Sequence, residues 1–220
     1  TNAVGVTDDD LVVLLLERLL LGQRPLWMSA ALTSGGIKNG MMPDAVGIAL
    51  GAALPDPKRR EEFLLALGRR FDETERRRIG ELAEACVVQA CRSELQALDR
   101  SDLAGRVRRV SLVSDQLGYD VVAPRRDSTE RRLEVKGTRA SGRILTVTIS
   151  RNEASVGLRD PDWSLAVCRV APDDGTAVVG WLDGVGLGPH LPSDAETGIW
   201  QEAMVYLDEQ IDLRLGLPPC

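Results

Sequence analysis

Two kinds of hydrophobic pattern divide the chain. Up to about residue 98 the apolar positions recur at helical spacing between proline and glycine breaks. From about residue 107 β-branched residues cluster in short runs separated by turn residues. Thr7 and the run Asp8, Asp9, Asp10 supply an N-cap and an acidic first turn, and Leu and Val continue to Gly22, which predicts a first helix. Pro25 and Pro43 stand where helices begin, with Gly35, Gly36 and Gly40 between them, so residues 25–54 predict two short helices joined by a glycine-rich turn. Pro55 and Pro57 then precede a charged amphipathic helix over about 57–70. Asp72 and Glu75 read as the capping box of a separate long helix that runs to about Leu98.

The strand candidates are 107–113, 119–123, 132–136, 144–149, 164–170 and 177–181, with a further one near 203–207. Ser150 is placed to cap a short helix over 151–156. The expected fold class is therefore α/β in the α+β sense. A helical region, residues 1–75, precedes a mixed domain, residues 76–220, in which a helix leads into a sheet with at least one more helix.

Composition narrows the chemistry. The chain has 220 residues, 44% of them apolar, enough to bury a core in one or two small domains. Its 27 basic and 33 acidic residues leave a net charge of −6, which excludes a protein that coats nucleic acid by charge alone. Two Phe, four Trp and two Tyr are too few for a base-stacking platform. The single histidine, His190, in the Gly- and Pro-rich stretch 186–192, rules out an HExxH or multi-histidine zinc site. Cys86, Cys91, Cys168 and Cys220 contain no CxxC pair and read as reduced thiols, which implies a cytoplasmic protein. The longest apolar run, residues 11–21, is interrupted by Glu17 and Arg18 and is too short to span a bilayer; it follows aspartates rather than a basic segment, so neither a membrane span nor a signal peptide is expected.

The candidate chemistry lies in Gly118-Tyr119-Asp120, a turn over 124–130, and Leu133-Glu134-Val135-Lys136-Gly137-Thr138. A hairpin turning near residues 127 and 128 pairs positions whose numbers sum to about 255, bringing Asp120 level with 134–136. Glu134 and Lys136, two apart, share a face of their strand. Whether Asp120 shares it depends on the register, since a one-residue slip reverses the face. If it does, two converging carboxylates repel unless a divalent cation such as Mg²⁺ or Mn²⁺ lies between them. Lys136 would then hold a scissile phosphate or position water. The alternative is an ordinary amphipathic hairpin with a solvated Glu-Lys pair.

These residues resemble the PD-(D/E)xK nuclease superfamily, with Asp120 in the place of the motif Asp and Glu134-Val135-Lys136 as the ExK. Ile79-Gly80-Glu81-Leu82-Ala83-Glu84, Ser101-Asp102-Leu103-Ala104, Gly118-Tyr119-Asp120-Val121 and Glu134-Val135-Lys136-Gly137-Thr138, in this order, resemble the family named after the C-terminal domain of the plant protein NO VEIN. The likeness runs over about 79–170. Pro25-Leu26-Trp27 and Met42-Pro43-Asp44 are similar to the segment that precedes this domain in some bacterial members. Tyr119 stands where many superfamily members have Pro.

The resemblance implies a restriction-endonuclease-like core of helix, three-stranded antiparallel meander, helix and strand. It implies a further carboxylate from the first core helix, at Glu84 with Glu81 one turn away as the substitute. It also implies a Mg²⁺- or Mn²⁺-dependent DNA endonuclease with Asp120, Glu134 and Glu84 as metal ligands and Lys136 on the scissile phosphate. The setting it implies is restriction or anti-phage defence, with other subunits as partners. A homodimer would supply the two active sites that cutting both strands needs. Cleavage of RNA, and a non-cleaving module of the same fold that binds DNA or a protein, are the alternatives.

Charge placement bears on the same segment. Residues 101–151 hold eleven basic and six acidic side chains, a local charge of +5 against −11 for the remainder. Arg125, Arg126, Arg139, Arg143 and Arg151, with Asn152 at a helix start, are the candidate DNA contacts. Arginine is frequent outside the segment as well, so a generally Arg-rich surface explains the same count.

Overall fold

The computed structural model describes residues 8–23, 25–33, 36–38, 40–110, 117–194 and 198–220. They fall into two compact units, Thr1–Arg77 and Arg78–Cys220.

The first unit begins with α1 (Asp8–Gln23), α2 (Leu26–Ala31), a two-stranded ribbon of β1 (Leu32–Thr33) and β2 (Gly36–Ile37), and α3 (Asp44–Ala53). It continues into α4 (Pro57–Ala97), within which the division between the units falls. Pro25 and Pro43 do precede helices, because the missing N–H of proline is no loss where a helix has no acceptor for it. Met28, Leu50, Leu54, Phe63, Leu64, Leu67 and Phe71 form the core of this unit. The expected helix boundary at Asp72 is absent. Phe63, Leu67 and Phe71 recur every four residues on one buried stripe, and no proline intervenes, so one helix continues through the supposed cap. The ribbon β1–β2 stands where a turn was expected.

The second unit contains α5 (Ser101–Ala104), β3 (Arg108–Arg109), β4 (Val121–Pro124), β5 (Glu130–Thr138), β6 (Ile144–Ser150), α6 (Arg151–Gly157), β7 (Trp163–Val170), β8 (Thr176–Asp183), α7 (Gly184–Leu187), β9 (Glu202–Asp208) and β10 (Arg214–Leu215). Of the strand expected over 107–113, only β3 lies within the described residues; 111–116 lie outside them. The expectations omitted α7, the 3₁₀ turn Gly188–His190 and β10. His190 sits in that turn, its Nε2 3.6 Å from Asp212 Oδ1.

The main sheet is mixed, in the order β10-β8-β7-β5-β4-β3. All neighbours are antiparallel except β5 and β7, where Glu134 pairs with Leu165 and Lys136 with Val167. β6 does not join this sheet; it pairs along its length with β9, from Ile144↔Asp208 to Ser150↔Glu202. Ala83, Val87, Cys91 and Leu95 of α4, spaced four apart, cover one face of the sheet together with Val121, Ala123, Leu133, Val135, Ala166 and Cys168. Trp163, Leu165 and Val167 point to the opposite face, against Leu145, Val147 and Ile149 of β6 and Val205 and Leu207 of β9. β7 is therefore buried on both sides and reads as a near-continuous apolar run, whereas β6 and β9 alternate. No described helix is long and apolar enough to cross a membrane.

Candidate active site

The β4–β5 hairpin brings Asp120, the residue before β4, to the strand that carries Glu134 and Lys136. Val121 pairs with Leu133 and Val122 with Arg132. The turn is shaped by Asp127, whose Oδ1 accepts from the Thr129 N–H at 2.9 Å and hydroxyl at 2.6 Å, and by Ser128 at φ +73°. With Leu133 and Val135 in the core beneath α4, Glu134 and Lys136 point to the other face, and Asp120 reaches this strand through the bond its Oδ2 accepts from the Val135 N–H.

Asp120 is fixed at the start of β4 by three hydrogen bonds. Its N–H donates to Leu133 O at 2.9 Å, its carbonyl accepts from Val110 N–H at 2.7 Å, and its Oδ2 accepts from Val135 N–H at 2.8 Å. Gly118 makes the approach to this point possible. Its φ is +73°, and a Cβ there would lie 2.7 Å from Val156 Cγ2 on α6. The Trp163 indole N–H donates to Gly118 O at 2.8 Å and anchors the turn from beneath.

Gly137 serves the opposite side of the site. A Cβ there would lie 2.6 Å from Ile79 Cγ2 and 2.8 Å from Ile79 O, so only glycine lets α4 rest directly on β5. That contact places Glu84, one residue after Ala83, where its charge is felt at Asp120. Glu84 is buried and ion-paired with Arg109 Nε of β3.

Lys136 Nζ lies 2.8 Å from Glu134 Oε1 and 3.0 Å from Glu153 Oε2. Glu153 belongs to α6, where Ser150 and Glu153 form a reciprocal capping box: Glu153 N–H donates to Ser150 Oγ at 3.2 Å and Ser150 N–H to Glu153 Oε2 at 2.9 Å. One carboxylate oxygen thus ties the helix start to the lysine. The sequence marks Glu153 as a capping residue through the Ser150-x-x-Glu153 spacing, and only the folding of α6 over β5 reveals its second partner. Arg109 carries no comparable sequence signal.

Glu134 and Glu153 flank one ammonium, and Asp120 lies near enough for that charge to be felt. Burial pushes the Asp120 carboxyl up to about 6, with Glu84 and Glu153 adding to the rise and the Val135 N–H and Lys136 opposing it. Burial also raises Glu134 well above the usual carboxylate range, and Asp120 and Glu153 act in the same direction. Burial disfavours the Lys136 ammonium, but Glu134 and Glu153 outweigh it and hold the lysine above its ordinary value. The cluster has more negative than positive charge, so it favours uptake of a proton or a cation.

The oxygen-only donor set suits a hard divalent ion. Among the described residues no group of three or more His, Cys, Asp or Glu side chains is placed to hold a metal ion. Mg²⁺ is ordinarily held by one or two carboxylates and keeps several waters, so Asp120 and Glu134 are compatible with that ion.

The arginines assigned to DNA have partners within the fold. Arg125 pairs with Asp162 at 2.8 Å, Arg139 with Asp174 at 3.3 Å, Arg143 with Asp208 at 2.6 Å and Arg151 with Asp194 at 2.6 Å. Arg151 also lies over the Trp200 ring. Arg126 is at the β4–β5 turn, where its carbonyl accepts from Arg100. Asn152 sits in the first turn of α6, near Gly118. The arginines are therefore spread over several ion pairs, and the structure does not gather them around the carboxylates.

No curated protein and no solved structure matches the chain. One family does, and its matched segment contains Glu84, Asp120, Glu134, Lys136 and Glu153. Residues 83–179 of this chain match the family described as Protein NO VEIN, C-terminal.

Proposed function

We propose that the second unit is a metal-dependent DNA endonuclease of the PD-(D/E)xK type, acting in a restriction or anti-phage setting. The observation that supports this reading is the ion pairing of Lys136 with Glu134 and Glu153, beside Asp120, which is bonded to the Val135 N–H between them. The meander β3-β4-β5, followed by α6 and by β7 parallel to β5, is compatible with the restriction-endonuclease-like core, with β6 as an addition between the meander and α6.

In this reading Asp120 and Glu134 hold Mg²⁺ or Mn²⁺, and Glu84 stands behind Asp120 as an added ligand or as a partner to metal-bound water. The ion, when bound, lowers the pKa of water and offsets charge on a phosphate oxygen. Lys136 supplies a fixed positive charge to the phosphate, and Glu134 and Glu153 orient it and keep it protonated. The Val135 N–H binds Asp120 Oδ2 and so fixes the carboxylate's orientation before any ligand arrives.

Incubation of the pure protein with plasmid, with and without Mg²⁺ or Mn²⁺, tests the proposal. Cleavage that requires the ion and falls at least about a hundredfold in Asp120→Ala and Lys136→Ala is the expected result. Cleavage indifferent to both substitutions overturns the site. An RNA substrate in the same assay distinguishes the two polymers.

A second reading is favoured by the ion pairs of Arg125, Arg139, Arg143 and Arg151, which neutralise the basic side chains a phosphate backbone would need. It is a non-cleaving module of the same fold that binds DNA weakly or docks onto a protein. Absence of cleavage on modified and unmodified DNA supports it.

A further inference from the structure

Among the described residues two carboxylates are buried, Glu84 and Glu134, and each has its own cation. Glu134 pairs with Lys136, and Glu84 Oε2 pairs with Arg109 Nε. Asp120 is bonded to the chain beside both cations. Its carbonyl accepts from Val110 N–H at 2.7 Å, one residue after Arg109, and its Oδ2 accepts from Val135 N–H at 2.8 Å, one residue before Lys136.

The pair of Glu84 with Arg109 is held by the fold on both sides. Arg109 stands opposite Val121, whose side chain lies in the core under α4, so the arginine projects toward α4 as well. Arg92, about two turns beyond Glu84 on the same helix, donates to Val107 O at 3.3 Å, so the chain at β3 is tied to α4 twice. After burial, the charge of Glu84 is among the causes that raise the Asp120 carboxyl, as neighbours in one site should. The two partners differ in freedom. The Glu84 side chain is 12% exposed and that of Arg109 27%. Arg109 belongs to a two-residue strand at the end of the sheet order, so its side chain can withdraw toward solvent without parting interior strands.

We propose that Arg109 is a positioning residue that occupies the Glu84 carboxylate in place of a divalent ion and yields it when the ion binds. The inference rests on the reading of Asp120 and Glu134 as ligands of that ion. A guanidinium and a hard cation compete for the same carboxylate lone pairs. While Arg109 is in place, the charge of Glu84 is matched and the ion is left with Asp120 and Glu134. Once the guanidinium withdraws, a buried carboxylate without a partner is costly, and the ion can satisfy it instead. Arg109 therefore weakens ion binding through Glu84 without itself touching the ion.

Mn²⁺ is titrated into the full-length protein and followed by calorimetry and by loss of the free ion's paramagnetic resonance signal. Arg109→Gln is expected to tighten binding about tenfold. Arg109→Lys keeps a charge but loses the planar fork, and is expected to tighten it about threefold. In a Glu84→Gln background neither change is expected to shift the affinity by more than about twofold. A tightening that persists in that background is a general effect of altered charge and overturns the proposal. So does an affinity that neither Arg109 variant alters. The lysine variant, alone and with Glu84→Gln, decides the matter if Arg109→Gln does not fold. Mn²⁺ binding that is lost in Asp120→Asn but indifferent to Arg109 overturns this inference alone, whereas no Mn²⁺ binding to the unaltered chain overturns the proposed function with it.

Discussion

Asp120 Oδ2 accepts the N–H of Val135, the residue between Glu134 and Lys136, at 2.8 Å. This one bond aligns a carboxylate from the start of β4 with the two charged residues of β5. It also keeps a charge-bearing group in a place where burial makes ionisation costly.

Stability is expected to fall as pH rises from about 4 to about 6. The Asp120 carboxyl, held at about 6 in the fold against an ordinary 3.8, keeps its proton longer in the native state than in the unfolded chain. Ionising it therefore costs about 3 kcal/mol of stability by pH 7. Glu134, also raised, acts in the same direction, while Lys136, raised above the usual lysine value, contributes no slope below about pH 10. Carboxylates with lowered values, such as Asp194 and Asp208, act oppositely. The informative comparison is thus between the protein and Asp120→Asn in urea titrations at pH 4, 5, 6 and 7. The variant is expected to be the more stable at pH 7, and the two converge near pH 4.

Removal of the lysine should be costly for the fold itself. Lys136→Met leaves Glu134, only 3% exposed, without its ammonium, and a loss of about 3 kcal/mol is expected at pH 7. Glu134→Gln in the same chain removes the stranded charge and is expected to recover most of it. Chemical denaturation of the single and double variants measures both effects.

Divalent ions are expected to stabilise the protein if the carboxylates bind them. At a fivefold excess of Mg²⁺ over its Kd the gain is about 1 kcal/mol, seen as a raised unfolding midpoint. Asp120→Asn and Glu134→Gln are expected to abolish the shift. An equal shift in both variants would place the ion elsewhere.

The glycines of the two motifs are expected to be intolerant of a methyl group. Gly137→Ala meets the Ile79 carbonyl, which is backbone and cannot turn aside, and should cost about 2 kcal/mol or more. Gly118→Ala adds left-handed strain to a collision with Val156, with a loss of about 2–3 kcal/mol. Gly142→Ala, with nothing within 4 Å, is expected to change stability by less than about 0.5 kcal/mol. Thermal unfolding of the three proteins orders them.

Local signals carried much of this structure. The pairing sum of 254 seen in Val121↔Leu133 lies one from the value expected from a turn at 127–128. The cap at Ser150 was legible because its partners are three residues apart. What sequence could not convey depends on distant packing. The alternation of β6 shows a half-buried strand but not that β9, more than fifty residues on, covers it. Asp72 and Glu75 have the residue types of a cap, yet Phe71 is committed to a core stripe that continues the helix through them. Arg139 and Arg143 read as free cations until Asp174 and Asp208 fold against them.

The pairing of β6 with β9 separates what is recognisable in this chain from what can fold. Residues 83–179 end within β8, before Trp181 and Leu182, and omit β9 altogether. A fragment cut to those limits keeps Glu84, Asp120, Glu134, Lys136 and Glu153. It exposes Leu145, Val147 and Ile149, which lose Ala203, Val205 and Leu207, and it removes Ile79 from above Gly137. The smallest portion of this chain worth expressing is therefore Arg78–Cys220, which keeps the β9 cover of β6.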